Sequence, residues 1–370
     1  MATMVEEQNG WAPDWATHPG EHLAEYLETR GWSQAEFARL ADLTPKLVSE
    51  IINCKNPVTP ETAIKLARVL GLKDYIWLGL QRDWDLHQAR QKAMEAAPEQ
   101  KSWLELFPIP ELKAQNLLPN TTNLGVLLDA LLRLLGVGDP LAYAAKCRGF
   151  AVQHRQSQSF ESSRDHVFTW LMLGEQRARE QNLPLFDETK FLEAVREIRK
   201  LTREAPEVFE PAMKRLCHTA GVAVMFAKPL GQTRLFGSAW WIDGNQRAVI
   251  QMSLRMKTND HFWWTFFHEC GHIALHRGKN FADDQNARGD GAEAQADRWA
   301  EALIYGHNRL PDILANPPKS ETAVRRLADE LGLHPGIIVG MLQHYRLIRF
   351  SSLNHLKAKF VWADEVRAKS

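Results

Sequence analysis

Apolar residues recur at helical spacing through the first part of the chain, interrupted by capping and turn residues. Over residues 19–80 this predicts four or five short helices. The first carries Leu23 and Leu27; the second starts at Ser33, an N-cap with Glu36 three residues on, and buries Phe37 and Leu40. Thr44-Pro45 opens a third through Val48, Ile51 and Ile52, and Thr59-Pro60 a fourth through Ala63, Leu66, Ala67 and Leu70 before Gly71. Residues 81–185 read as helical again, with apolar clusters at 104–112 and 124–135 broken by PNTTN and GVGDP. The polar stretch 153–164 reads as a loop or an exposed helix end. The pattern changes near residue 186: helices to 203 and 219 precede three strand-like runs, GVAVMFA, GSAWWI and AVIQMSL. A long helix over 260–277, another over 292–305, and a helix-turn-helix pattern over 320–344 follow. The expected fold class is mainly α with a small β-sheet (α+β). Its expected parts are a polar lead (1–18), an all-α domain (19–80), a helical connector (81–185), an α+β domain (186–310) and a C-terminal helical module (311–370).

Composition narrows this picture. At 370 residues the chain exceeds what one core usually organises, and 45% hydrophobic with 24% charged residues is globular composition. Lys plus Arg and Asp plus Glu are 45 each, which excludes a whole-chain polycation held on nucleic acid by charge alone. No window reaches the roughly 18 apolar residues of a membrane span. The start MATMVEEQNGWAPDW has neither a basic nor an apolar leader region, so a cytoplasmic protein without a membrane partner is expected. The four cysteines are scattered without CxxC spacing and read as reduced core thiols.

The long helix carries His268-Glu269-Cys270-Gly271-His272, an HExxH motif, of which about 0.04 chance matches are expected at this composition. Two His four apart lie on one helical face about 6 Å apart along the axis, so both imidazoles can reach one metal ion. Glu269, one step round, can address a water on that ion. The surrounding HFWWTFFHECGHIALHRG lacks proline and is apolar nearly all round, which predicts a buried helix with its C-cap at Gly278. Two His and a Glu in such a helix are costly unless paired or metal-bound. His276 lies about 12 Å along the axis from His268, too far to share bonds of about 2 Å, so a third ligand comes from elsewhere. Glu293, opening the next helix, is the candidate, with Asp297 one turn on, placed to hold a ligand imidazole by a hydrogen bond.

HECGH after an aromatic helix, followed about 20 residues later by the run from Glu293 to Ala300, resembles the ImmA/IrrE family of zinc metallopeptidases. The likeness covers roughly residues 186–305, including GSAWW and VIQMSLR. It implies a zincin-like, gluzincin-type peptidase domain with one Zn2+ per chain on His268, His272 and Glu293, and Glu269 as general base. Members cut or inactivate helix-turn-helix repressors. One departure, Tyr305-Gly306 where members often carry Met-Pro, bears on the pocket wall.

SQAEFARLADLTPKLVSEIINCKNPVTPETAIKLARVLG is similar to a Cro/CI-type (XRE) helix-turn-helix, nearest in form to the HigA branch of antitoxins. Asp42 replaces the usual turn glycine, and Asp tolerates the left-handed conformation. The likeness implies DNA contacts from Gln34 opening the second helix, Thr44 opening the third, Lys46, Ser49 and Asn53 on the recognition helix, and Lys55 near the backbone. Over 19–80, however, seven Lys/Arg stand against eight Asp/Glu, so protein association and DNA binding as a homodimer both stay open. A shift of 290 residues aligns ADLTPKLV with LGLHPGII, suggesting a second, degenerate helix-turn-helix whose Gly336 and Gly340 favour packing or substrate docking over DNA contact.

The expected function is a DNA-binding regulator fused to a zinc endopeptidase. Its expected partners are operator DNA and a repressor, antitoxin or toxin protein. The alternative is an antitoxin-like repressor whose HExxH fold binds a toxin without catalysis.

Overall fold

The computed structural model describes residues 15–153, 163–231, 233, 235–278 and 291–363. Most of the polar lead and of the loop expected over 153–164 lies outside the described residues. The chain divides into two compact units, one running to Gln100 and taking in Asn123–Gly125, the other made of Lys101–Thr122 and the chain from Val126 on.

In the first unit five helices follow one another: α1 (Pro19–Arg30), α2 (Gln34–Leu40), α3 (Pro45–Ile52), α4 (Pro60–Leu70) and α5 (Asp74–Ala96). Ser33, Thr44 and Thr59 cap α2, α3 and α4, each side chain accepting from a backbone N–H near the helix start. Leu23, Leu27, Phe37, Val48, Ile51, Leu66 and Trp77 form the core. Leu40, expected inside, is the last residue of α2 and is 50% exposed. Asp42 in that turn has φ 51° and holds Lys65 at 2.8 Å. α5 runs unbroken past Leu80, where the sequence suggests a domain end. Gln81 explains why: it is buried, accepts from Val58 N–H at 2.9 Å and so ties the middle of α5 to the preceding helices.

The second unit contains α6 (Lys101–Leu104), α7 (Ile109–Ala114), most of α8 (Leu124–Leu135), α9 (Pro140–Gln153), α10 (Arg164–Arg179), α11 (Glu188–Lys200) and α12 (Pro206–Thr219). The strands are β1 (Val222–Phe226), β2 (Gly237–Ile242) and β3 (Arg247–Met252), followed by α13 (Asn259–Leu275), α14 (Ala292–Tyr305), α15 (Arg309–Ala315), α16 (Glu321–Leu331) and α17 (Pro335–His344). The architecture is thus mainly α with one small sheet. Its order is β1-β3-β2, with β1 parallel and β2 antiparallel to β3, so β2 is an edge strand.

The strands are buried on both faces because helices cover both. Ala239, Trp241, Ala248, Ile250 and Met252 enter the core shared with α12 and α13. Gln251 points the other way and donates to Trp170 O at 2.7 Å, and Trp170 Nε1 donates to Ala227 O at 3.3 Å. α10, which the sequence assigns to a connector, is therefore a layer of this unit, buried from Val167 to Gly174.

α13 ends at Leu275, short of the expected cap at Gly278; His276 caps it, its N–H bonded to His272 O. α17 packs on the start of α13, where Asp260 occupies the space a side chain at Gly340 would fill. The second helix-turn-helix pattern thus exists as α16 and α17, turning at Gly332 with φ 66°, and its glycines face protein. Beyond it the chain bridges Lys359 to Thr258 and seats Phe360 against Phe209 and Phe262. Among the cysteines, Cys147, Cys217 and Cys270 are buried free thiols as expected, but Cys54, just past α3, is exposed. No helix among the described residues is long and apolar enough to cross a membrane.

If α10 is a structural layer, Trp170→Ala should cost about 3–5 kcal/mol in urea unfolding, the range for emptying a buried aromatic site. A loss under about 1 kcal/mol would return α10 to the status of a connector.

Candidate metal centre and recognition helix

α13 is apolar on most of its surface, with Trp263, Phe266, Phe267 and Cys270 fully buried. One stripe, His261, Trp264, Thr265 and His268, is not, and the motif histidines lie along its continuation. α14 crosses this helix at Gly271. A side chain there would meet Ala296 Cα and O at 3.1 Å, tighter than ordinary contact, so glycine favours the close approach that carries Glu293 to the histidines.

The outcome is a convergence of three donors. His268 Nε2 lies 3.0 Å from His272 Nε2 and 3.0 Å from Glu293 Oε2, and His272 Nε2 lies 3.3 Å from Glu293 Oε1. Ligands about 2.0–2.1 Å from a tetrahedral ion are spaced about 3.3 Å apart, and although the two histidines face different oxygens of Glu293, these spacings are of the size a zinc ion needs. Asp297 Oδ1 accepts from His268 Nδ1 at 2.8 Å, which fixes that tautomer and turns the Nε2 lone pair inward. His276 turns away to Gln295 at 2.8 Å. The sequence-derived set of His268, His272, Glu293 and Asp297 is therefore brought together. Glu269 is buried on the neighbouring face, its carboxylate packed against Gly237 at the start of β2.

The donor set also tests the fit electrically. With Nδ1 of His268 donating to Asp297, the Nε2 atoms and a carboxylate oxygen bring lone pairs together, which is tolerable only with a cation or a proton between them. Burial opposes charge on His268, but Asp297 and Glu293 outweigh it and raise its pKa to about 10. Burial also pushes Glu293 up, yet hydrogen bonds from both histidines hold its carboxyl well below the usual range. His272, the deepest member, is lowered by burial, with Glu293 opposing and His268 assisting that shift. A proton on His268 thus does in the metal-free protein what a metal would do.

On the head, Gln34, Thr44, Lys46, Asn53 and Lys55 are exposed and Ser49 is half-buried. Two of them have internal engagements the sequence did not reveal. Lys46 Nζ lies 3.8 Å from Glu50, and Asn53, which follows α3 rather than belonging to it, donates to Ser49 O at 2.7 Å. Thr44 accepts from Leu47 N–H at 3.1 Å and is occupied as a cap.

Zinc added to metal-free protein at neutral pH should displace about one proton per chain, measured by calorimetry in buffers of different ionisation heat. Without metal, the stability drawn from charged His268 is complete below its ordinary 6.5 and lost as pH rises through about 10. The part drawn from Glu293 is present above its ordinary 4.5 and lost as pH falls below it. Gly271→Val should weaken zinc affinity at least about tenfold by lifting α14, the scale of lost ligand support; unchanged affinity would contradict the crossing argument.

Residues 23–78 match the family model described as helix-turn-helix. The HTH-type transcriptional regulator YddM of Escherichia coli (strain K12) is 38% identical over 73 residues, which are 20% of this chain and 78% of that protein. Virulence-associated protein I of Dichelobacter nodosus is 36% identical over 77 residues, 20% of this chain and 71% of that protein. Among solved structures, an addiction module antidote protein of a HigA family from Coxiella burnetii is 31% identical over 22% of this chain and 91% of that one, with a TM-score of 0.21. The Pseudomonas aeruginosa antitoxin HigA with higBA promoter is 28% identical over 21% and 86%, also with a TM-score of 0.21. Through residues 23–78, at the other end of the chain from the metal constellation, the protein belongs to the family of HTH-type transcriptional regulators.

Proposed function

We propose that this chain is a DNA-binding regulator carrying a zinc-dependent endopeptidase that cuts or inactivates a repressor or antitoxin partner. The convergence of His268, His272 and Glu293 within 3.3 Å of one another, with Asp297 behind and Glu269 beside, is the observation that carries it. The resemblance of the HECGH helix and the Glu293 run to ImmA/IrrE peptidases supports the reaction class. For the head, the helix-turn-helix match and the likeness to a transcriptional regulator support operator binding.

His268, His272 and Glu293 would hold the ion and Asp297 would keep the His268 ring turned towards it. When bound, zinc supplies a Lewis acid that polarises an amide carbonyl and acidifies water. Glu269 takes a proton from the attacking water and delivers it to the departing amine, so the peptide nitrogen leaves neutral. Edge strand β2, against which Glu269 packs, offers backbone groups to an extended chain laid alongside the carboxylate. The buried aromatic wall of Trp263, Phe266 and Phe267 keeps the inner side of the site dry.

A head bound at an operator raises the concentration of the attached peptidase near any repressor on the same DNA, so selectivity needs no tight active site. Lys46 and Asn53 would exchange their partners Glu50 and Ser49 for DNA.

Glu269→Gln should keep zinc while slowing cleavage of the partner about 10²–10⁴-fold, the usual share of a general base. A partner left intact by the unmodified, zinc-loaded protein would sink the peptidase reading and favour a non-catalytic antitoxin. Lys46→Ala with Asn53→Ala should weaken binding to the protein's own promoter region by roughly tenfold or more in gel shift. The same DNA unshifted by the unmodified protein would instead favour a head used for protein association.

A further inference from the structure

The stripes that bear the site do not stop at it. On α13, Trp264 lies one turn and His261 two turns before His268; on α14, Glu301 follows Asp297 by one turn and Tyr305 follows Glu301. These side chains, with part of α17 and the turn after it, enclose a cavity of about 410 Å³. Its far end is marked by Asp260, eight residues before His268, ~12 Å along the helix axis.

The lining has a definite chemistry. Asp260 is 7% exposed; its Oδ2 pairs with Lys357 Nζ at 2.5 Å, while its Oδ1 is buried without a hydrogen-bond partner among the described residues. Glu301, half-buried, accepts from the Tyr345 hydroxyl. Trp264, Tyr345 and Phe350 supply aromatic surface, with the exposed His344 stacked 6.1 Å from Trp264. Arg346 also lines the cavity and is exposed, so it can turn its charge to water.

We propose that this cavity receives a basic side chain, Lys or Arg, of the protein substrate, close to the bond that is cut. The inference rests on the peptidase reading above. A purely apolar side chain would seal Glu301 from water and leave the buried Asp260 Oδ1 without a partner, and an acidic one would be repelled by Glu301. A cation gains the Glu301 carboxylate, the unpartnered Oδ1 of the Lys357-paired Asp260 and the faces of aromatic rings at once. Distance agrees: an extended chain advances ~3.3 Å per residue, so a long side chain one or two residues from the metal constellation spans the gap.

The test uses the full-length, zinc-loaded protein titrated with N-acetyl-arginine amide and with N-acetyl-norleucine amide, followed by tryptophan fluorescence and calorimetry. The arginine amide should bind roughly tenfold tighter, and Glu301→Gln should remove most of that preference. An unchanged melting temperature for Glu301→Gln ensures that the loss is local, and Trp264→Leu, weakening the arginine amide alone, is the second variant. Equal affinity for the two amides overturns the proposal. Mapping the cut in the partner separates it from the reading beneath it. Cleavage with no basic residue within two positions of the bond overturns the pocket and leaves the peptidase, whereas arginine-selective binding without any cleavage removes the peptidase and leaves a site for basic side chains.

Discussion

Two imidazole nitrogens and a carboxylate held 3.0–3.3 Å apart, with one imidazole's other nitrogen already given to a second carboxylate, are an arrangement that apolar packing cannot stabilise. Lone pairs directed at a common point need positive charge there. That requirement accounts for Glu293 and Asp297 sitting one turn apart on a helix that crosses α13 at Gly271. Two carboxylates facing two histidines leave the cluster at a net charge of −1 when one proton is present, and a divalent cation in the place of that proton would make it neutral.

Holding these atoms so close demands a rigid frame, and the surrounding elements supply it. α13 is wedged between the sheet, α12, α14 and α17, with Phe209, Phe262, Trp263 and Phe360 in mutual contact at its first half. The C-terminal strand bridge and the Lys357–Asp260 pair fasten its start. β2 stands at the sheet edge beside Glu269 because β3, not β2, takes the central place. Arg199 and Arg203 bind carbonyls of Ile304, Leu331, Ala328 and Leu333, so α11 and the turn that follows it also anchor the ends of α14 and α16.

What the sequence made legible was local chemistry. Ser33, Thr44 and Thr59 announced helix starts because an N-cap acts within three residues, and the HExxH pair was readable because four residues make one helical turn. Glu293 could be nominated since the next helix began with it. The limits were set by distant contacts. α10 looks like connector because an apolar run such as FTWLML does not say what it packs on, although the strands carry the hint: VAVMF has no polar face and requires cover on both sides. The continuity of α5 through Leu80 depended on Gln81 bonding to Val58, a pairing across 23 positions. Likewise, the pairing of Asn53 with Ser49 became visible only once α3 had an end.

The joining of a transcriptional-regulator head to this cluster places the central claim on the metal. Elemental analysis and zinc-edge X-ray absorption of the purified full-length chain test it most directly. The account predicts about one zinc per chain, bound by two imidazole nitrogens and carboxylate or water oxygens without sulfur. A chain that purifies without zinc and takes up none, or a first shell containing sulfur, would contradict it.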